Sequence, residues 1–73
     1  MKSSYFKPLS DKALKAQIAT LLKNSDLTIA EFVDGPKSVA KRSLMKRWDE
    51  GALLSTLELQ RVLQIMQEIG DRK

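Results

Sequence analysis

Five basic side chains and no acidic one lie close together near the middle of this chain. These residues, the basic run, are Lys37, Lys41, Arg42, Lys46 and Arg47. Positive groups at this spacing repel one another, and a solvated helix would normally carry acidic neighbours that relieve the repulsion. A polyanion such as double-stranded DNA would supply the missing negative charge. We therefore expect the basic run to bind DNA; the alternative is a solvated helix face without a partner.

The chain contains no cysteine and no histidine, two residue types on which many enzymes depend for catalysis. This excludes disulfides, thiolate metal sites and the most common general base. We therefore expect no catalytic residue, no metal site, no cofactor and no enzyme activity. We also expect a cytoplasmic location, since the N-terminus does not resemble a signal peptide and no apolar run approaches the roughly 18 residues of a membrane span.

Length and charge placement narrow the class of protein further. The 73 residues allow one domain over 1–73, with an ordered core over about 9–70. Hydrophobic residues make up 42% of the chain, too many for a disordered protein. Residues 1–47 contain ten basic and four acidic side chains, whereas 48–73 contain three and five. The positive field therefore belongs to the first two thirds of the chain.

Three segments carry the signals of a helix start. Ser10, Thr28 and Ser55 each follow a leucine and can accept hydrogen bonds from the free amide groups of a first helical turn. Glu31 and Glu58 stand three residues after Thr28 and Ser55, as a capping box requires. These patterns predict helices that begin directly after all three residues.

The apolar spacing extends these starts into an all-α fold, a compact four- to five-helix bundle. The predicted helices cover about 11–23, 29–34, 41–50 and 56–69, and glycines at 51 and 70 end the last two. The third helix has an alternative start near Pro36, with Asp34 as its cap; we prefer the start near Lys41, because a longer helix would turn Lys41 inward. The terminal segments 1–7 and 71–73 are expected to be loose.

The expected core follows the same spacing. Its predicted members are Leu14, Ile18, Leu21, Leu22, Phe32, either Val33 or Ile29, Ala40, Leu44, Met45, Trp48, Leu59, Val62, Leu63, Met66 and Ile69. Trp48 could instead stack on a base, but a single indole at the end of an amphipathic helix favours the core. Leu57 and Ile65 fall beside the main stripe of the last helix, which makes that helix the expected dimer face. Val39 is also hard to bury.

Two short helices with a tight connection, the second of them basic, predict a helix-turn-helix. The major groove of B-DNA accepts one helix, whose outer side must be polar while its back packs on a scaffold. Leu44, Met45 and Trp48 suit the back. Arg42, Ser43 and Lys46 suit the front, and the arginine fork suits guanine best.

These parts together resemble the XRE-like (Cro and phage-repressor type) helix-turn-helix family. The resemblance is carried by Leu27-Thr28-x-x-Glu31-Phe32, by Met45-Lys46-Arg47-Trp48-Asp49-Glu50-Gly51 and by Ser55-Thr56-Leu57-x-Leu59-x-x-Val62-Leu63. The sequence departs from the family pattern where Ile29 replaces the usual glutamine and Val33 a small residue. The segment between the second and third helices is also about two residues longer than usual, and it contains Gly35-Pro36.

The resemblance implies a sequence-specific transcriptional regulator of double-stranded DNA, most often a repressor and often a homodimer. Base contacts would then fall to Arg42, Ser43 and Lys46, and phosphate contacts to Lys41 and Arg47. The full predicted DNA-binding set is Thr28, Lys37, Ser38, Lys41, Arg42, Ser43, Lys46 and Arg47. A second hypothesis remains open: a helical protein-interaction module, such as an antitoxin or an inhibitor, whose basic face binds an acidic protein partner, for example a toxin.

Overall fold

The computed structural model describes residues 10–72, and these form four helices without a strand. The helices are α1 (Asp11–Asn24), α2 (Ile29–Asp34), α3 (Val39–Asp49) and α4 (Thr56–Arg72). The predicted all-α class is confirmed. Within the described residues, no helix combines the length and the apolar content needed to cross a membrane.

The three predicted helix starts are confirmed, each with its cap in place. The side-chain oxygen of Ser10 accepts a hydrogen bond from the Ala13 amide at 3.2 Å, and that of Thr28 accepts one from the Glu31 amide at 3.3 Å. Ser55 and Glu58 form a complete capping box. Its two hydrogen bonds are Glu58 N to Ser55 Oγ at 3.2 Å and Ser55 N to Glu58 Oε1 at 2.9 Å.

The start of α3 differs from both predicted versions. The helix begins at Val39, because Ser38 acts as its cap and accepts from the Lys41 amide at 3.4 Å. The prediction near Lys41 began the helix too late, and the version near Pro36 began it too early. Lys41 stays exposed in this register, so the reason for preferring the short helix does not apply.

Helix α4 is the centre of the core, and the other three helices pack around it. Its buried side chains are Leu59, Val62, Leu63, Ile65, Met66 and Ile69. The remaining buried apolar side chains are Leu14 and Ile18 of α1, Phe32 of α2, Met45 of α3 and Leu54. Around this core Leu21, Leu22, Leu27, Val33, Leu44 and Trp48 are partly buried.

Three predictions about individual apolar residues are settled by this packing. Val33 rather than Ile29 accompanies Phe32, since Ile29 is 42% exposed. Ala40, which was predicted to face the core, is exposed. Ile65 was predicted to lie on a dimer face, but it is only 4% exposed and belongs to the core. Of the two residues predicted for that face, only Leu57 is exposed.

The glycines end the helices differently from the prediction. Gly51 has a positive φ of 81° and stops α3, as a glycine in the left-handed region does. Gly70 has no such conformation, and α4 continues through Asp71 to Arg72. The predicted helix end at Gly70 and the predicted loose end at 71–72 were therefore wrong. The expectation for 1–7 lies outside the described residues.

Gly35 and Gly70 should respond to alanine in opposite directions. A Cβ at Gly35 would lie 2.4 Å from the carbonyl oxygen of Glu31, whereas a Cβ at Gly70 would have nothing within 4 Å. We expect Gly35→Ala to lower the free energy of unfolding by about 1–3 kcal/mol through overpacking. Gly70→Ala should raise it by about 0.5–1 kcal/mol, because alanine favours the helix. Urea denaturation measures both; equal values for the two variants would contradict this account.

Candidate nucleic-acid interface

Helix α3 has one side on the core and one side in solvent. Met45 is fully buried, and Leu44 and Trp48 pack partly buried against the core. On the other side Val39, Ser43 and Lys46 are exposed, at the i, i+4 and i+7 spacing that places them in one row. We call these three residues the outward stripe. The residues predicted for the back of α3 therefore do pack on the core. Of the three residues predicted for its front, Ser43 and Lys46 belong to the outward stripe.

Two lysines of the basic run are exposed and have no carboxylate partner among residues 10–72. They are Lys46, on the outward stripe, and Lys37, in the connection before α3. The ion pairs found within 4.0 Å in that part of the chain involve other cations. Both ammonium groups are therefore available to an anionic ligand.

Arg42, the third predicted front residue, binds the protein's own backbone. One guanidinium nitrogen, Nη1, donates to the carbonyl oxygen of Pro36 at 2.7 Å and to that of Lys37 at 3.1 Å. The side chain is half-buried and Pro36 is buried. Arg42 therefore holds the connection between α2 and α3, a role that sequence reasoning missed, because a carbonyl acceptor leaves no signal in the sequence.

The two cations predicted to face phosphate are paired with acidic side chains of α4. Lys41 Nζ lies 3.2 Å from Glu68 Oε2, and Arg47 Nη1 lies 2.8 Å from Glu58 Oε2. The side chains of the first pair are 45% and 51% exposed, and those of the second are 48% and 30% exposed. Exposed pairs of this kind contribute little to stability. A phosphate could replace either carboxylate at small cost.

Glu58 is the more firmly held of these two carboxylates. Its Oε1 accepts from the Ser55 amide while its Oε2 accepts from Arg47. The Ser55 hydrogen bond first, and the Arg47 hydrogen bond second, lower the pKa of the Glu58 carboxyl below its ordinary value. The carboxyl consequently stays ionised to a lower pH than an ordinary glutamate does, and its negative charge partly balances that of Arg47.

The last two members of the predicted set, Thr28 and Ser38, are exposed helix caps. Besides accepting from the Glu31 amide, the Thr28 hydroxyl donates to Glu31 Oε1 at 3.5 Å. Ser38 accepts from the Lys41 amide. Thr28 is exposed at the start of α2, and Ser38 is exposed at the start of α3. The hydroxyl group of each already forms a hydrogen bond within the chain.

Alanine variants of Arg42 and Lys46 should differ in stability, because Arg42 binds the backbone and Lys46 faces solvent. Arg42→Ala leaves two backbone carbonyl oxygens without their donor, so we expect the free energy of unfolding to fall by about 1–2 kcal/mol. Lys46→Ala removes the same charge from an exposed position and should change stability by less than about 0.5 kcal/mol. Urea denaturation gives both values. If Arg42→Ala were as stable as Lys46→Ala, the connection would not depend on the guanidinium.

The titration of Glu58 tests its two hydrogen bonds. A carboxyl with a lowered pKa stabilises the fold above the pKa of the unfolded chain, and the contribution disappears as pH falls through the folded pKa. We expect carbon-detected NMR to give a Glu58 pKa below that of exposed glutamates. In Arg47→Ala the pKa should rise but remain lowered, because the Ser55 amide still donates. Full return to the ordinary value would assign the effect to Arg47 alone.

Comparison of this chain with protein-family models, with curated proteins and with solved structures finds no match. The resemblance to the XRE-like pattern therefore stays a hypothesis that rests on the residues quoted for it.

Proposed function

We propose that this chain binds double-stranded DNA by placing the outward stripe of α3 in the major groove. It would act as a transcriptional regulator, most simply a repressor that excludes other proteins from its site. The observation that carries the proposal is the outward stripe of α3, which contains no acidic residue and is flanked by Lys37, a lysine without a carboxylate partner among residues 10–72. The acidic residues of this region, Asp49 and Glu50, lie at the far end of the helix and would mark the edge of the contact.

The dimensions of α3 support this use. Its 11 residues span about 16 Å, and the major groove is about 12 Å wide, enough for one helix and its side chains. The buried Met45 and the partly buried Trp48 fix the rotation of the helix, so that Ser43 and Lys46 point away from the protein. A rigid back is what a helix needs to present polar groups to base edges in a fixed register.

Two groups of cations around α3 support phosphate contacts, one without a carboxylate partner among residues 10–72 and one paired with α4. Lys37 and Lys46 are available without any rearrangement. Lys41 and Arg47 could join them by leaving Glu68 and Glu58, at the small cost of two exposed ion pairs. Arg42 remains a candidate for a base contact only through the guanidinium nitrogens that do not hold the Pro36 and Lys37 carbonyl groups.

The salt dependence of binding should reveal how many cations take part. Contacts with four phosphates give a log–log slope of about −3.6, whereas contacts with two give about −1.8. We expect the steeper value, with Lys41 and Arg47 included, from fluorescence anisotropy of a labelled random-sequence duplex. Lys46→Gln should make the slope shallower by about 0.9. Lys23→Gln, the same change in the last turn of α1, is the matched control and should leave the slope unchanged.

A protein partner is the second candidate, favoured by a groove between α3 and α4. The groove has a volume of about 420 Å³, and Leu44, Leu57 and Ile65 contribute its apolar lining. Leu57 is 59% exposed there, and the groove is also lined by Arg61 and by Lys41 with its partner Glu68. A helix with apolar and acidic side chains would suit this groove. If the chain bound no duplex of any sequence at about 0.1 mM and low salt, DNA binding would be refuted and this alternative favoured.

A further inference from the structure

Val39 is an exposed apolar residue at the leading end of the outward stripe. Its side chain is 72% exposed, although it is β-branched and could pack well against a core. It is the first residue of α3, directly after the cap Ser38 and one turn before Ser43. Among residues 10–72, the other large apolar residues with comparable exposure, Leu53 and Leu57, lie outside α3. The core of the protein therefore gives no reason for a valine at this position.

We infer that Val39 selects thymine by contacting its methyl group in the major groove. This inference rests on the proposed DNA binding and adds a specificity determinant to it. A recognition helix contacts base edges mainly with the residues of its N-terminal part. The thymine C5-methyl is the only apolar group that the four bases present in that groove. The two methyl groups of Val39 match it in chemistry and in position along the helix.

The preference for thymine follows from what each base would meet. Thymine buries a methyl group against another apolar group, which strengthens binding by about fourfold for each methyl removed from water. Cytosine carries a hydrogen atom at C5 where thymine carries the methyl group, so it would lose this apolar contact. The neighbouring hydroxyl of Ser43 can donate or accept and so discriminates less. Within the outward stripe, Val39 is thus the side chain whose chemistry favours thymine, whereas the Lys46 ammonium favours the acceptor atoms of guanine.

The experiment compares thymine with uracil, which differs only by the methyl group. Bound sequences are first selected from a random duplex pool with the full chain. The selected duplex is then prepared with deoxyuridine in place of each thymidine in turn, and dissociation constants are measured by anisotropy. We expect wild-type affinity to fall about fourfold at one or more positions of the site. Val39→Ala should bind thymine- and uracil-containing duplexes within about twofold of each other.

Two further variants separate contact chemistry from other effects. Val39→Thr keeps one methyl group at the same place and should retain part of the preference for thymine. Leu53→Ala removes a side chain that is 93% exposed and lies in the connection after α3, so it should keep the full preference. Because Val39 is exposed, its variants should match wild type in thermal unfolding, which circular dichroism checks.

The outcomes distinguish this inference from the function on which it rests. Specific binding with equal affinity for thymine and uracil at every position would overturn the role of Val39 and leave DNA binding intact. A preference for thymine that persists in Val39→Ala would also overturn it. Failure to bind any duplex would refute both the proposed DNA binding and the role of Val39 in it, and it would favour a protein-binding role for the exposed Val39.

Discussion

The apolar face of α4 is the constraint on which the rest of this fold depends. Six buried side chains along one helix supply a common surface, and α1, α2 and α3 each add only one or two fully buried residues to it. A chain of 73 residues buries only about 60–65% of its extended surface, so the loss of a few buried contacts would remove much of its stability. The orientation of α3 therefore depends on Met45 and on the partial burial of Trp48 and Leu44 against this surface.

Helix α4 also sets the electrostatics of the surface that α3 presents. Glu58 and Glu68 reach back to Arg47 and Lys41, so part of the positive charge is balanced within the molecule. This arrangement reduces the repulsion that the basic run would otherwise create. Within the basic run, Lys37 and Lys46 remain without a carboxylate partner among the described residues, which leaves unbalanced positive charge beside α3. In the proposed DNA complex, phosphate groups would compete with Glu58 and Glu68 for the paired Arg47 and Lys41.

The connection between α2 and α3 is held by short-range geometry rather than by apolar burial alone. Gly35 allows the chain to pass close to the last turn of α2, and the buried Pro36 follows it. Arg42 then fixes the segment by donating to two of its carbonyl groups. These contacts together fix the path of the chain between α2 and α3.

Local signals in the sequence determined the helix starts at Ser10, Thr28 and Ser55 and most of the apolar core, because capping and apolar spacing act within a few residues. The burial of Ile65, the exposure of Ala40 and the ion pairs of Lys41 and Arg47 depend on which helix packs against which, and no local pattern encodes that. The same reason separates the cations of the basic run. All five look equivalent in the sequence. Only the tertiary structure assigns Arg42 to the backbone and Lys41 and Arg47 to carboxylates of α4, and leaves Lys37 and Lys46 without a carboxylate partner among residues 10–72.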